Sequence, residues 1–151
     1  METFIKWSDD LSVGIEEIDR QHKVLVGLVN KMHEAIHKRH GSEVVEEILA
    51  ELANYTIIHF ATEESVMGIL GYPEYEEHHE IHEELVQQVV ELQKKVASGK
   101  TSVSFELLHF LKIWLTKHIL NEDMAYSDFF IAAGANTRTR KKSWLKRLWG
   151  G

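Results

Sequence analysis

The chain has 151 residues, no cysteine and one proline. That length suits one domain with a core of its own, and the missing thiols exclude disulfides, thiolate zinc sites, iron–sulfur clusters and thiol catalysis. The net charge of −7 hides an uneven split: Arg138, Arg140, Lys141, Lys142, Lys146 and Arg147 fall in the last 14 positions, and without them 11 basic residues face 24 acidic ones, a balance of −13. An acidic body has no nucleic-acid footprint. No apolar run approaches the roughly 18 residues of a membrane span. The opening METFIKWSDD lacks the apolar stretch of a secretory signal. A cytoplasmic protein is the expectation.

In chain order, residues 1–15 form an arm whose Trp7, Leu11, Val13 and Ile15 are expected to pack against the body. A first helix is expected from about Glu16 to Arg39, stopping near Gly41, with His22, Leu25, Val29, Met32 and Ile36 on one face. A second follows an N-cap at Ser42 and ends near Gly68 to Gly71; its inward face reads Ile48, Leu52, Tyr55, His59, Glu63, Val66. Tyr72-Pro73 starts the third, which runs to about Ala97 and keeps Tyr75, His78, His82, Leu85, Val89, Leu92 and Val96 in step. Ser102 or Ser104 opens the fourth, which continues to about Ala133 with Leu107, Leu111, Trp114 and His118 inward. Helices of about 25 residues span roughly 37 Å, and short connections make neighbours antiparallel. The expected fold is all-α: an antiparallel up-down-up-down four-helix bundle with an N-terminal arm over residues 1–134, then a basic amphipathic tail over 135–151.

The same periodicity sorts the ten histidines. His22, His59, His78, His82 and His118 sit on apolar stripes. His79 and His109 point away, His33 and His37 border the first stripe, and His40 lies at that helix's end. A lone core histidine is ordinarily just hydrogen-bonded, because an unpaired buried polar group costs roughly 2–7 kcal/mol. Five on four helices, with an inward glutamate beside them, call for a shared metal site. His59-x-x-x-Glu63 and His78-x-x-x-His82 are i, i+4 pairs that stack on one helical face. Imidazole and carboxylate without thiolate suit iron, manganese, cobalt or zinc. The helix-end histidines His33, His37 and His40 have no carboxylate pattern to make a second site.

These residues resemble the single-domain bacterial hemerythrins. The matching elements are Trp7-Ser8-Asp9, Asp19-x-Gln21-His22, His59-Phe60-x-x-Glu63-Glu64, His78-x-x-x-His82 and Trp114-x-x-x-His118-Ile119-x-x-x-Asp123, over about residues 4 to 133. The resemblance implies a non-haem diiron centre. His78, His82 and His118 would bind one iron; His22 and His59 would bind the other, leaving a position open to dioxygen. Glu63 and Asp123 would bridge the pair with an oxo or hydroxo group. Seven protein ligands are too many for one tetrahedral zinc. Regular helical spacing favours Glu122, at i+4 from His118, over Asp123 at i+5; the family pattern alone selects Asp123 and implies a local helix distortion. Leu25, Phe60, Trp114 and Ile119 match the family's apolar oxygen pocket, which would exclude water and protons. They also read as ordinary core. Tyr126 resembles a family position near the bridging carboxylate.

In the tail, Trp144, Leu145, Leu148 and Trp149 form one face of a helix that Lys141, Lys142, Lys146 and Arg147 surround. Such a segment reads as a contact for a membrane surface or a membrane protein, and otherwise as a solvated tail. The expected function is reversible dioxygen binding for storage or delivery, by a monomer with no catalytic residues. The alternatives are an oxygen or iron sensor, and a diiron peroxidase or oxidase. The Glu-x-x-His pairs that ferritin-like oxidases use occur only as Glu34-x-x-His37 and Glu76-x-x-His79, off the inward stripes.

Overall fold

The computed structural model describes residues 4–38, 41–99 and 105–133, with backbone alone at 42, 105–106 and 119–121. After a short turn at Asp9–Leu11 come α1 (Glu16–His37), α2 (Ser42–Leu70), α3 (Tyr75–Ala97) and α4 (Phe105–Lys117). A π-helical stretch, His118–Asp123, then joins α4 to α5 (Met124–Ala132), so the expected fourth helix is one helix with a widened turn in it. All described elements are helical, and they form the four-helix bundle that the spacing predicts.

Local chemistry sets the helix ends. Glu16, Glu17 and Asp19 crowd the first turn of α1, where the helix dipole favours negative charge. Asp19 also fastens the arm: it accepts from the Ser12 hydroxyl at 2.5 Å and from the Val13 N–H at 2.8 Å. α2 ends at Gly71, whose φ of 68° is left-handed. The Tyr72 N–H then reaches back to the Met67 carbonyl at 2.9 Å, the bond that closes a Schellman turn. Two boundaries differ from the sequence reading. Gly41, not Ser42, holds the cap position of α2. α3 starts at Tyr75, with Glu74 in the cap position and no side-chain cap hydrogen bond. The expected boundaries at Arg39, Ser102 and Ser104, and the tail 135–151, lie outside the described residues.

The arm lies on the bundle as its apolar residues predict. Leu11, Val13 and Ile15 are buried and Trp7 is half-buried. The Ile5 backbone and the Asn30 side chain exchange two hydrogen bonds, at 2.7 and 2.9 Å. The core falls into two apolar clusters. The larger runs along the bundle through Leu25, Val29, Met32, Leu52, Leu111 and Leu115. The smaller closes the other end with Val13, Ile18, Met67, Tyr72, Tyr126 and Phe130. α2 packs against α1 and α3, and α4 leans on α1 more closely than on α3. No helix among the described residues is long and apolar enough to cross a membrane.

Candidate metal centre

The inward polar residues converge. His22, His59, Glu63, His78, His82, His118 and Asp123 are all buried. Their ligand atoms form two groups that overlap: His22, His59, Glu63, His118 and Asp123 in one, and Glu63, His78, His82 and Asp123 in the other. Within each group the atoms lie within 4.8 Å of one another. The two carboxylates belong to both groups.

Glu63 divides its oxygens between the two sides. Oε2 faces His59 Nε2 at 3.2 Å and His22 Nε2 at 3.8 Å, while Oε1 faces His82 Nε2 at 3.1 Å and His118 Nε2 at 3.9 Å. Asp123 Oδ2 lies 2.5 Å from His22 Nε2 and 2.9 Å from His118 Nε2, and Oδ1 looks toward His78 Nε2 at 3.7 Å. His118 therefore stands between the groups, grouped with His22 and His59 yet sharing a Glu63 oxygen with His82.

Four of these inward atoms make no hydrogen bond: Glu63 Oε1, His78 Nε2, His82 Nε2 and Asp123 Oδ1. Each such buried atom costs on the order of 1–3 kcal/mol if left alone. Four of them aimed at one another, all lone-pair donors in their metal-binding forms, fit a pair of cations that two carboxylates bridge. The nitrogen and carboxylate donor set, free of thiolate, suits iron.

Electrostatics supports the same arrangement. Burial works against charge at Glu63 and Asp123, but the surrounding imidazoles outweigh it and hold both acids below the ordinary carboxylate range. Burial also opposes a charged His59, yet the Glu63 and Asp123 carboxylates overcome it and raise its imidazole to about 10. His118 goes the other way, pushed down by burial.

The π-helical stretch settles where the fourth helix places its acid. A π turn closes i to i+5 and carries one residue more than an α turn. Asp123, five residues after His118, therefore returns to the same inward face and is 0% exposed. Glu122 is half-buried and lines a cleft on the surface between α3 and α4. Regular spacing points to Glu122; the structure brings Asp123 into the cluster.

A second layer orients two of the five imidazoles through the ring nitrogen that faces away from the centre, while the Nδ1 atoms of His22 and His118 make no hydrogen bond. His59 Nδ1 pairs with Gln21 Oε1 at 2.7 Å, and His82 Nδ1 with Glu64 Oε2 at 2.8 Å. Such partners fix the tautomer and aim of a ligating imidazole. The roles of Gln21 and Glu64 escaped the sequence reading, although both stand next to cluster residues in the chain. Glu64 also binds His79, and His79 Nε2 meets Glu83 at 2.9 Å. The Tyr126 hydroxyl donates to Glu63 Oε2, and burial holds the phenol well above its usual pKa, so it stays a donor.

Of the expected pocket residues, Phe60 stacks flat on His82 with ring centroids 3.8 Å apart. Leu25 is fully buried one turn beyond His22, and Trp114 is buried with its indole N–H on the Leu85 carbonyl at 3.1 Å. The Ile119 side chain lies outside the described residues. His33 stacks on Phe4 at 4.7 Å, and His37 and His109 are exposed, so none of these three joins the cluster.

Known proteins share this framework. The Hemerythrin HHE cation binding domain matches residues 13–129. The Bacteriohemerythrin of Pseudomonas aeruginosa is 40% identical over 123 residues, covering 81% of this chain and 78% of that protein. The Bacteriohemerythrin of Stenotrophomonas maltophilia is 37% identical over 122 residues, with the same coverage of 81% and 78%. A crystal structure of wild-type hemerythrin superposes with a TM-score of 0.76 at 28% identity, over 83% of this chain and 96% of that one. The family and its fold imply a diiron, oxygen-binding domain. By the extent of these matches, and by the cluster they enclose, the chain belongs to the hemerythrin family.

Proposed function

We propose that the protein binds dioxygen reversibly at a non-haem diiron centre and stores or delivers it, without acting as an enzyme. The observation that carries this reading is the pair of overlapping ligand groups joined by two buried carboxylates. His22 and His59 would hold one iron and His78, His82 and His118 the other, with the Glu63 and Asp123 carboxylates shared between them. The division of the Glu63 oxygens between the His22–His59 side and His82 supports a shared carboxylate; His118, which lies nearer Asp123 Oδ2 than Glu63 Oε1, is assigned to the second iron from the family pattern. The iron pair supplies the dioxygen-binding electrons.

The chain's own residues keep that binding reversible. Gln21 and Glu64 hold His59 and His82 in aim. Tyr126 keeps Glu63 placed through its hydroxyl. Phe60 covers the His82 face, and the two apolar clusters on either side exclude water and stray protons. Leu25, Trp114 and Ile119 complete the oxygen pocket in this reading.

The oxygen electrode tests carriage against catalysis. The iron-loaded protein is expected to take up dioxygen once per centre, give it back under vacuum and repeat the cycle. Continuous consumption with an oxidisable substrate would contradict a carrier. We assign the protein to the cytoplasm as a monomer, and its basic tail to the inner membrane surface, near a membrane enzyme that uses oxygen. A chain shortened at Gly134 is expected to lose co-sedimentation with anionic vesicles; unchanged co-sedimentation would contradict the membrane role.

A further inference from the structure

The α3–α4 seam is the open side of the bundle. Three clefts follow one another along it. One begins at Tyr72, Glu77 and Ala125, beside the start of α5. The next, of about 270 Å³, continues past Ile81 and Glu122 with Trp114 and His118 in its wall. The last reaches Glu91, Leu92 and Lys95. Ile81 and Glu122 are shared by the first two, and Glu84, Gln88 and Phe110 by the last two, so the clefts form one groove. Phe110 and Ile113 stand in it 39% and 50% exposed. Its acidic side chains, Glu74, Glu77, Glu84, Glu91 and Glu122, outnumber Lys95 and Lys117.

We propose that the chain's own basic tail, residues 138–149, docks as a helix in this groove when no other surface holds it. Charge, apolar content and length agree. The tail brings six cations, with no acidic residue, to a groove rich in glutamates, and Trp144, Leu145, Leu148 and Trp149 to Phe110 and Ile113. The described chain ends at Ala133, on the helix whose Ala125 opens the groove. As a helix, residues 138–149 span about 18 Å, after residues 134–137, at up to about 3.5 Å each, bridge the roughly 12 Å from Ala133 back to Ala125. The groove from Ala125 back to Phe110 covers about 23 Å at the same rise. A helix this short is marginal alone in water, and burying its apolar face in the groove would stabilise it. This inference rests on the amphipathic reading of the tail and is independent of oxygen binding.

Carbodiimide cross-linking of the full chain tests it, in a dilute mixture of ¹⁴N- and ¹⁵N-labelled protein read by mass spectrometry. Docking predicts same-chain links from Lys141, Lys142 and Lys146 to Glu84, Glu91 and Glu122. In the surface double variant Glu84→Lys/Glu91→Lys, the link yield at the untouched Glu122 should fall by about tenfold, and trypsin should cut the tail faster. Links spread over the glutamates of α1 and α2, mixed-isotope links, or a tail whose cleavage ignores the double variant would each overturn the proposal. None of these readouts involves dioxygen, so failure here leaves the diiron reading standing.

Discussion

Asp123 and Glu122 are neighbours with opposite surroundings: one is wholly buried among histidines, the other borders the α3–α4 groove. Asp123→Asn is expected to cut the bound iron below two ions per chain, while Glu122→Gln leaves iron content unchanged; elemental analysis of the purified variants decides. Gln21→Leu strips His59 of its second partner and should weaken metal affinity by about 10–100-fold, read by competition with a chelator. Protonation competes with loading at His59. Its folded value of about 10 lies above the ordinary 6.5. In the metal-free protein the stability it lends is therefore full below about 6.5 and lost as pH rises through about 10. A ligating imidazole must be neutral, so ferrous loading near pH 7 should release protons, visible with a pH indicator in weak buffer, and should weaken as pH falls. Proton-neutral loading would contradict this account. At this scale the histidines are legible in the sequence because apolar neighbours mark an inward face. The roles of Gln21 and Glu64 are not, because an orienting partner is defined by a contact between helices, which no spacing within one helix records.

The π-helical stretch is the element on which the fourth helix depends. It inserts one residue between His118 and Asp123 and lets α5 continue with Tyr126 and Phe130 inward. Deleting Asn121 should therefore be tolerated: the turn reverts to α, Asp123 moves to i+4, and the phase of α5 is kept. Iron content and helicity should both stay close to wild type. Deleting Lys112, inside the regular α4, should instead rotate Trp114 off the core and abolish iron binding. Equal damage from both deletions would contradict the role given to the widened turn. The rest of α1 to α4 was legible because stripes at three and four residues describe a regular helix. The bulge was not, since a one-residue insertion looks like a defect in a periodic pattern, and only resemblance to a family favoured Asp123. The α1 start at Glu16 is as expected, while the starts of α2 and α3 slipped by one to three residues: Ser42 reads as a cap, but the backbone geometry puts Gly41 in that place.

Across the whole molecule, a polar cluster sits between two apolar plugs. The larger cluster stabilises the length of the bundle, and the smaller one seals the end where the arm, the α2–α3 turn and α5 meet. Phe130 is fully buried in that seal, 4.4 Å from the Tyr126 ring. Phe130→Ala should cost about 3–5 kcal/mol of stability, measured by denaturant unfolding, and should speed loss of the oxygenated form by admitting water. A variant as unstable but equally slow to autoxidise would separate the seal from oxygen protection. The bundle itself was readable from four long stripes and short connections. Its open α3–α4 side was not, because the distance between two helices depends on how all four pack. The most direct test of the diiron account is the visible spectrum of the iron-loaded protein, first deoxygenated, then in air, then under vacuum. The account predicts a charge-transfer band that appears with air and disappears under vacuum over repeated cycles. A spectrum that never changes with oxygen, or that changes once and does not return, would contradict reversible binding.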